Sequence, residues 1–249
     1  MSETGGGSPE TVERFGRPMR QFSVVVSAGA MAGAWARQEN APAGATVVVD
    51  QEISALGRLG RAWDRPPSAT LTLAMVLRPR LAPEQADLAW LVAGLGLLNG
   101  IEALVTDRKL ATWWPDEVVD SDSRDLVAAT KVEVQLGPGE VRSAVATMRI
   151  DLARLGMEEP HRREALLEAI VGAVDDVAAT LVEGPETAAA AYERRCLLID
   201  RRVKLRLLPK GETRGTARAF DRGGRLELAS ATGMTERISV DMLRALEVV

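Results

Sequence analysis

The residues best suited to chemistry are arginines and acids set among glycines and tryptophans. Between two strand-like runs stands Ala55-Leu56-Gly57-Arg58-Leu59-Gly60-Arg61-Ala62-Trp63. Gly57 and Gly60 let the backbone come close to a ligand, and Arg58 and Arg61, three apart, can grip a phosphate or a carboxylate through their planar donor forks. A flexible surface turn with solvated arginines accounts for the same pattern equally well. Further along comes Trp113-Trp114-Pro115-Asp116-Glu117. Paired aromatics can stack on a ring system while the acids bind its polar edge. Taken alone, this stretch is better read as core tryptophans beside acids that cap a turn.

Other reactive side chains are few. A lone histidine, His161, excludes sites that need two imidazoles, and it follows Pro160 at a helix start, a plain exposed position. The one cysteine, Cys196, cannot form an internal disulfide and has no histidine near it in sequence. It reads as a small buried hydrophobe and fits a reducing, cytoplasmic setting.

The elements that must position these groups follow from the apolar pattern. Phe22–Val26, Thr46–Asp50 and Thr70–Leu77 read as strands, with a helix at about 30–40 after the first. Pro83 opens a helix reaching about Leu98. Leu126–Leu136 and Val141–Leu152 read as strands paired around Gly137-Pro138-Gly139. Pro160 precedes a second long helix with Leu166, Leu167, Ile170, Val171, Val174, Val177, Ala178 and Leu181 in one stripe, while its acidic face reads as solvated. From Cys196 the pattern changes to short runs, Leu197–Ile199, Val203–Leu208, Thr216–Phe220, Leu226–Ala229 and Ile238–Val240, separated by glycine turns, which argues a small barrel.

Composition agrees with an ordinary folded chain. In 249 residues, 46% are hydrophobic and 27% charged, which excludes global disorder and collagen-like or coiled-coil sequences. No apolar run is long enough to span a membrane, and the polar, Gly-rich start lacks a secretory pattern. Residues 1–191 carry 18 basic and 27 acidic side chains, a balance of −9, and residues 192–249 carry 13 and 8, a balance of +5. That step suggests two modules, with a boundary near Pro185 to Tyr192. The dispersed tail charges, with only Tyr192 and Phe220 as aromatics, read as a solvated surface rather than a nucleic-acid site. The lead is too short for a helix-turn-helix domain, so neither DNA nor membrane is expected as a partner.

With both motifs and the tail in view, the chain resembles the biotin protein ligases of the biotin/lipoate ligase superfamily. That family has a Gly-Arg-Gly-Arg-x-Gly-Arg-x-Trp loop and, later, Lys-Trp-Pro-Asn-Asp. The tail is similar to the family's SH3-like barrel through Asp200-Arg201-Arg202-Val203-Lys204-Leu205, Gly215-Thr216-Ala217 and Gly224-Arg225-Leu226. The resemblance covers about residues 22–249. It implies an α+β fold: a disordered lead at 1–20, a biotin/lipoate ligase-like catalytic domain with a mixed β-sheet and helices at 21–188, and an SH3-like barrel at 192–249. It implies a two-step reaction, in which biotin and ATP, with Mg, form biotinyl-adenylate and the acyl group passes to a lysine on a carrier domain. It assigns adenylate binding to Gly57, Arg58, Gly60, Arg61, Trp63, Trp114 and Asp116. In relatives this loop folds over the adenylate, so Arg58 and Arg61 would hold the α-phosphate.

Four departures from the family pattern fall on the chemistry. Leu56 and Ala55 replace an arginine and a glycine of the loop, and Trp113 replaces the lysine opening the second motif. The family's essential lysine aligns with Arg124 or Asp125, neither of which supplies a compact ammonium in that place; Lys131 lies too far along its strand. The Gly-x-Gly-x-Asn that makes room for biotin's rings aligns with Thr147-Met148-Arg149-Ile150-Asp151. Arg149, if directed inward, can pair with Asp116 or Asp151 or bind an anion other than biotin; directed outward, it is a surface charge. Losing a charge at the reacting phosphate costs several kcal/mol of barrier. The sequence therefore reads as a divergent, impaired or inactive ligase-like protein that acts by binding a ligand or a carrier protein. The alternative is an active ATP-dependent ligase for biotin or another acyl group. A biotin carrier domain or another protein is the expected partner, and a homodimer is compatible with the family.

Overall fold

The structure, a computed structural model, describes residues 10–209 and 211–249. The described chain opens with an antiparallel pair, β1 (Val12–Arg14) and β2 (Arg17–Val25). Ser27 caps α1 (Ala28–Gln38) by accepting from the Ala30 amide, which satisfies one of the free donors at a helix start. β3 (Thr46–Glu52) returns parallel to β2, and β4 (Thr70–Leu77) lies antiparallel to β3. After α2 (Leu88–Glu102), a meander of β5 (Leu110–Trp113), β6 (Glu117–Asp120), β7 (Leu126–Gly137) and β8 (Glu140–Asp151) brings β8 back to pair with β4. The result is a mixed eight-stranded sheet in the order β1-β2-β3-β4-β8-β7-β6-β5. The single-turn α3 (Leu152–Leu155), then α4 (Pro160–Ala179) and α5 (Pro185–Glu193), complete this part.

Every residue of β4 is buried, as its unbroken apolar and β-branched run requires of a strand covered on both faces. On one face α1 packs over Val47, Val49, Ala74, Val76 and Val145. On the other lies α2, buried along nearly its whole length; a helix apolar on all sides must be covered on all sides. α4 supplies part of that cover through the stripe Leu166, Leu167, Ile170, Val171, Val174 and Val177. The two helices touch at glycines. A Cβ on Gly100 would stand 2.5 Å from the Ile170 Cα, and one on Gly96 2.6 Å from the Val174 Cα.

The tail strands β9 (Arg202–Leu207), β10 (Gly211–Phe220), β11 (Leu226–Ala229), β12 (Thr235–Ile238) and β13 (Leu243–Val248) form an antiparallel sheet in the order β12-β11-β10-β9-β13. Among the described residues no ladder joins β12 to β13, so no hydrogen-bonded closure of the sheet into a barrel is present. Phe220, Leu226, Leu228, Ile238, Val240 and Leu243 belong to the same apolar core as α2. Asp87, buried just before α2, accepts from the Val240 amide at 3.0 Å, and burial pushes its carboxyl up to about pKa 6.

Several expectations are revised. Residues 1–9 of the expected disordered lead lie outside the described residues, but residues 12–14 and 17–20 are strand, ordered by pairing with one another and, through β2, with β3. The stretch expected as a module boundary is α5, whose Ala188, Ala189 and Tyr192 are buried. Leu197–Ile199 is a turn, β12 ends at Ile238, and the fifth tail strand is β13 instead. Among the described residues no helix is long and apolar enough to cross a membrane.

Candidate functional site

The Gly-Arg stretch is a pinned loop. Leu56 and Ala62 form an isolated bridge, the Gly57 amide donates to the Arg61 carbonyl at 2.8 Å, and the Trp63 amide donates to the Ala55 carbonyl at 2.9 Å. Gly60 has φ of +74°, which a side chain would strain, although nothing lies within 4 Å of its missing Cβ. The loop thus has a fixed shape from which its two arginines project.

Both arginines run to the same carboxylate. Arg58 donates from Nη1 to the Leu243 carbonyl at 2.8 Å, tying the loop to the start of β13, and its Nε lies 3.5 Å from Asp116 Oδ1. That separation is an ion pair but not a hydrogen bond, and Nε has no partner among the described residues. Burial pushes the Arg58 guanidinium down from its ordinary value, opposed by the Asp116 charge. Arg61 donates from Nη2 to Asp116 and from Nη1 to Glu117 Oε1 at 2.6 Å. Burial acts to lower Arg61, but the two carboxylates outweigh it and hold the guanidinium up. Burial, reinforced by the Asp116 charge, pushes Glu117 up.

The tryptophans of the second motif divide. Trp114 is fully buried, with its ring 6.2 Å from that of Phe220, which in turn meets Tyr192 edge-on at 5.2 Å. The ring anchors the tail to the core, so the core reading describes Trp114 and the ligand-stacking expectation does not. Trp113 is half-buried, with the Arg124 guanidinium 5.0 Å from its ring centre. Trp63 donates from Nε1 to Thr70 at 3.1 Å and stays half-buried at the cleft wall.

On the floor, Arg149 points inward, and its partner is neither Asp116 nor Asp151. It donates from Nε to Glu52 Oε2 at 2.6 Å, with 3% and 1% of the two side chains exposed. Glu52 Oε1 accepts from the Ala28 amide at 2.7 Å, so one carboxylate serves both the arginine and the start of α1. Sequence reasoning misses Glu52; its signal is an acid ending an otherwise buried strand. Asp151 accepts from Arg65 at 2.8 Å and caps α3 through the Arg154 amide at 3.0 Å. Thr147 stands against Gly29, where a Cβ would approach its Oγ1 to 2.4 Å.

Neither Arg124 nor Asp125, the residues aligned by spacing with the family's lysine, meets this cluster. Arg124 lies in a turn with φ of +66° and covers Trp113, and Asp125 pairs with Arg154 at 2.7 Å. The β7 positions that do face it are Leu126 and Ala129. Together with Gly57, Arg61, Ala62, Trp63, Asp116, Glu117 and Arg149 they line a cavity of about 90 Å³. A larger cleft of about 350 Å³ adjoins it, sharing Ala62 and Trp63 and reaching Glu52, Ile53, Leu56 and Arg65. The chain has four lysines: Lys109, Lys131, Lys204 and Lys210. Lys131 pairs with Glu133 at 3.0 Å in a separate cleft beside α1, and Lys204 pairs with Glu212. Among the described residues no lysine lines either cavity around the arginines. Cys196 is buried and its thiol is pushed up to about pKa 11, which removes it as a nucleophile. His161 is exposed at the start of α4, away from the cluster.

No protein-family model matches the chain. Over 116 residues it is 28% identical to the bifunctional ligase/repressor BirA of Bacillus spizizenii and 27% identical to that of Bacillus subtilis. The matched stretch covers 45% of this chain and 34% of each relative, so the match spans about a third of their length. Among solved structures, the biotin protein ligase from Aquifex aeolicus in complex with biotin and ATP superposes with a TM-score of 0.69 at 18% identity. That match covers 93% of this chain and 99% of the other. A biotin protein ligase-like protein of unknown function from Silicibacter sp. superposes at a TM-score of 0.68 and 16% identity, covering 90% and 95%.

Proposed function

We infer, from a chain that has the biotin/lipoate ligase-like fold, that it works by binding a ligand or a carrier protein and does not sustain biotinyl-adenylate formation. One observation carries this reading: the cations left at the adenylate position are engaged by the chain's own acids. Arg61 spends both terminal nitrogens on Asp116 and Glu117, Arg58 is tied to the Leu243 carbonyl with Asp116 3.5 Å from its Nε, and Leu126 and Ala129 face the pair with no ammonium beside it among the described residues. A guanidinium shared between two carboxylates has little field left for a third anion. The residues present therefore do not fit the α-phosphate of ATP.

The biotin position is altered in the same sense. Arg149 and Thr147 stand where the family resemblance places glycines, and Arg149 with Glu52 fills the floor with a buried ion pair. The fold keeps its inherited core, and a biotin carrier domain remains the macromolecular partner this reading prefers.

Calorimetric titration of the purified chain with biotin, with ATP and with both together tests the reading. Little or no heat is expected from biotin, and no strengthening by ATP. Tight, ATP-coupled biotin binding would overturn it in favour of a working ligase with a rearranged site.

A further inference from the structure

Arg149 uses only part of its donor set. Its Nε is committed to Glu52, but Nη1 and Nη2 have no hydrogen-bond partner among the described residues, although only 3% of the side chain is exposed. Neither nitrogen is among the fully buried polar atoms that lack a partner, so both keep an accessible edge where an acceptor can reach them. The side chain lines the cavity of about 90 Å³ whose other walls include Trp63, Ala62, Leu126 and Ala129. Those walls are apolar, and the volume falls well below the roughly 300–1,000 Å³ of sites for drug-sized molecules.

We propose that this cavity takes the carboxylate of a short monocarboxylic acid, held in plane by Nη1 and Nη2 of Arg149, with the acid's apolar end against Trp63, Leu126 and Ala129. The paired terminal nitrogens of a guanidinium match the two oxygens of a carboxylate. Asp116 and Glu117 in the same wall are paired with Arg61, so Arg149 offers the open donors there, and one guanidinium edge matches a single negative charge better than a dianion such as phosphate. Glu52 is already saturated by Arg149 and the Ala28 amide, so it holds the guanidinium in place without competing for its open edge. This subsite rests on the cleft being a binding site, as inferred above, but not on the absence of adenylate formation.

Titration with butyrate, followed by calorimetry and by amide NMR shifts, is the test, with the neutral isostere butyramide and inorganic phosphate as controls. Butyrate is expected to bind saturably, shifting the amides of Gly57, Trp63 and Leu126, and to bind at least tenfold more tightly than either control. Glu52→Gln with Arg149→Gln removes both charges without stranding either, and should weaken butyrate at least tenfold. Arg149→Lys keeps the charge but loses the fork, and should weaken it too; it decides the matter should the double variant not fold. Absence of saturable butyrate binding to the folded wild type, equal binding of butyramide, or butyrate binding unchanged in these variants would each overturn the proposal. A biotin-dependent ATP–pyrophosphate exchange assay reports on the other reading alone, so the two can fail separately.

Discussion

The face of the eight-stranded sheet beneath α2 and α4 and the cleft on its opposite side are built on opposite terms. Beneath α2 and α4 the sheet meets leucine, isoleucine, valine and glycine, and stability there is shared over many contacts. The other face is apolar where α1 covers Val47, Val49, Ala74, Val76 and Val145, but its cleft carries Arg149, Glu52 and Asp151, with Asp116 from the turn before β6, all buried or nearly so and each held by one or two named partners. A packed face loses stability by degrees as side chains shrink. A face of paired charges tolerates the loss of a pair far better than the loss of one member.

The sharpest test of that contrast is Arg149→Ala. It strands Glu52 in a buried position and should cost about 3–5 kcal/mol of unfolding free energy in denaturant melts. Glu52→Leu with Arg149→Met should cost much less than the single change. If the single change is mild, the pair is not the element holding the floor. On the packed face, Gly100→Val forces a side chain onto the Ile170 backbone, and about 3 kcal/mol or more should be lost.

Asp87 gives a pH-dependent form of the test, at the seam with the tail. Its folded pKa, near 6, lies above the ordinary carboxyl value of 3.8. The folded state therefore holds its proton more tightly than the unfolded state. The stability it contributes is full below about pH 4 and is lost as pH rises through 6, for about 3 kcal/mol in all. Asp87→Asn should flatten this part of the stability-against-pH curve between pH 4 and 7. An unchanged slope would place the titration elsewhere. The smallest effect should come from Asp116→Asn. It releases Arg58 and Arg61 from a full charge and should tighten pyrophosphate binding about tenfold, close to 1.4 kcal/mol, with little change in melting temperature.

The packed face is legible in the sequence and the charged one only in part. Thr70–Leu77, Leu126–Gly137 and the stripe of α4 stand close to where periodicity places them, because an apolar repeat states which side is covered. β5 and β6, of four residues each, carry too short a pattern to be seen, and α5 goes unread where the sequence suggests a module boundary, because its alanines show little amphipathic contrast. Within the site, the family resemblance singles out Arg58, Arg61, Asp116 and Arg149, since its motifs name residue types. It does not reveal that Asp116 joins both loop arginines or that Glu52 reaches Arg149, for those pairs connect residues 55 to 97 apart along the chain. Alignment by spacing also puts the position of the family's lysine at Arg124 or Asp125. The bulge where β6 pairs β7, between Val118 and Val119, marks an irregular register there, and Leu126 and Ala129 face the cluster instead.

Biotin-dependent exchange of pyrophosphate into ATP measures the central claim most directly, because it reports acyl-adenylate formation without needing a carrier. With folded wild-type protein, exchange is expected to stay at the level seen without biotin. Exchange well above that level, abolished by Arg58→Ala, would show that the arginines still act on the phosphate and that the chain is a working synthetase.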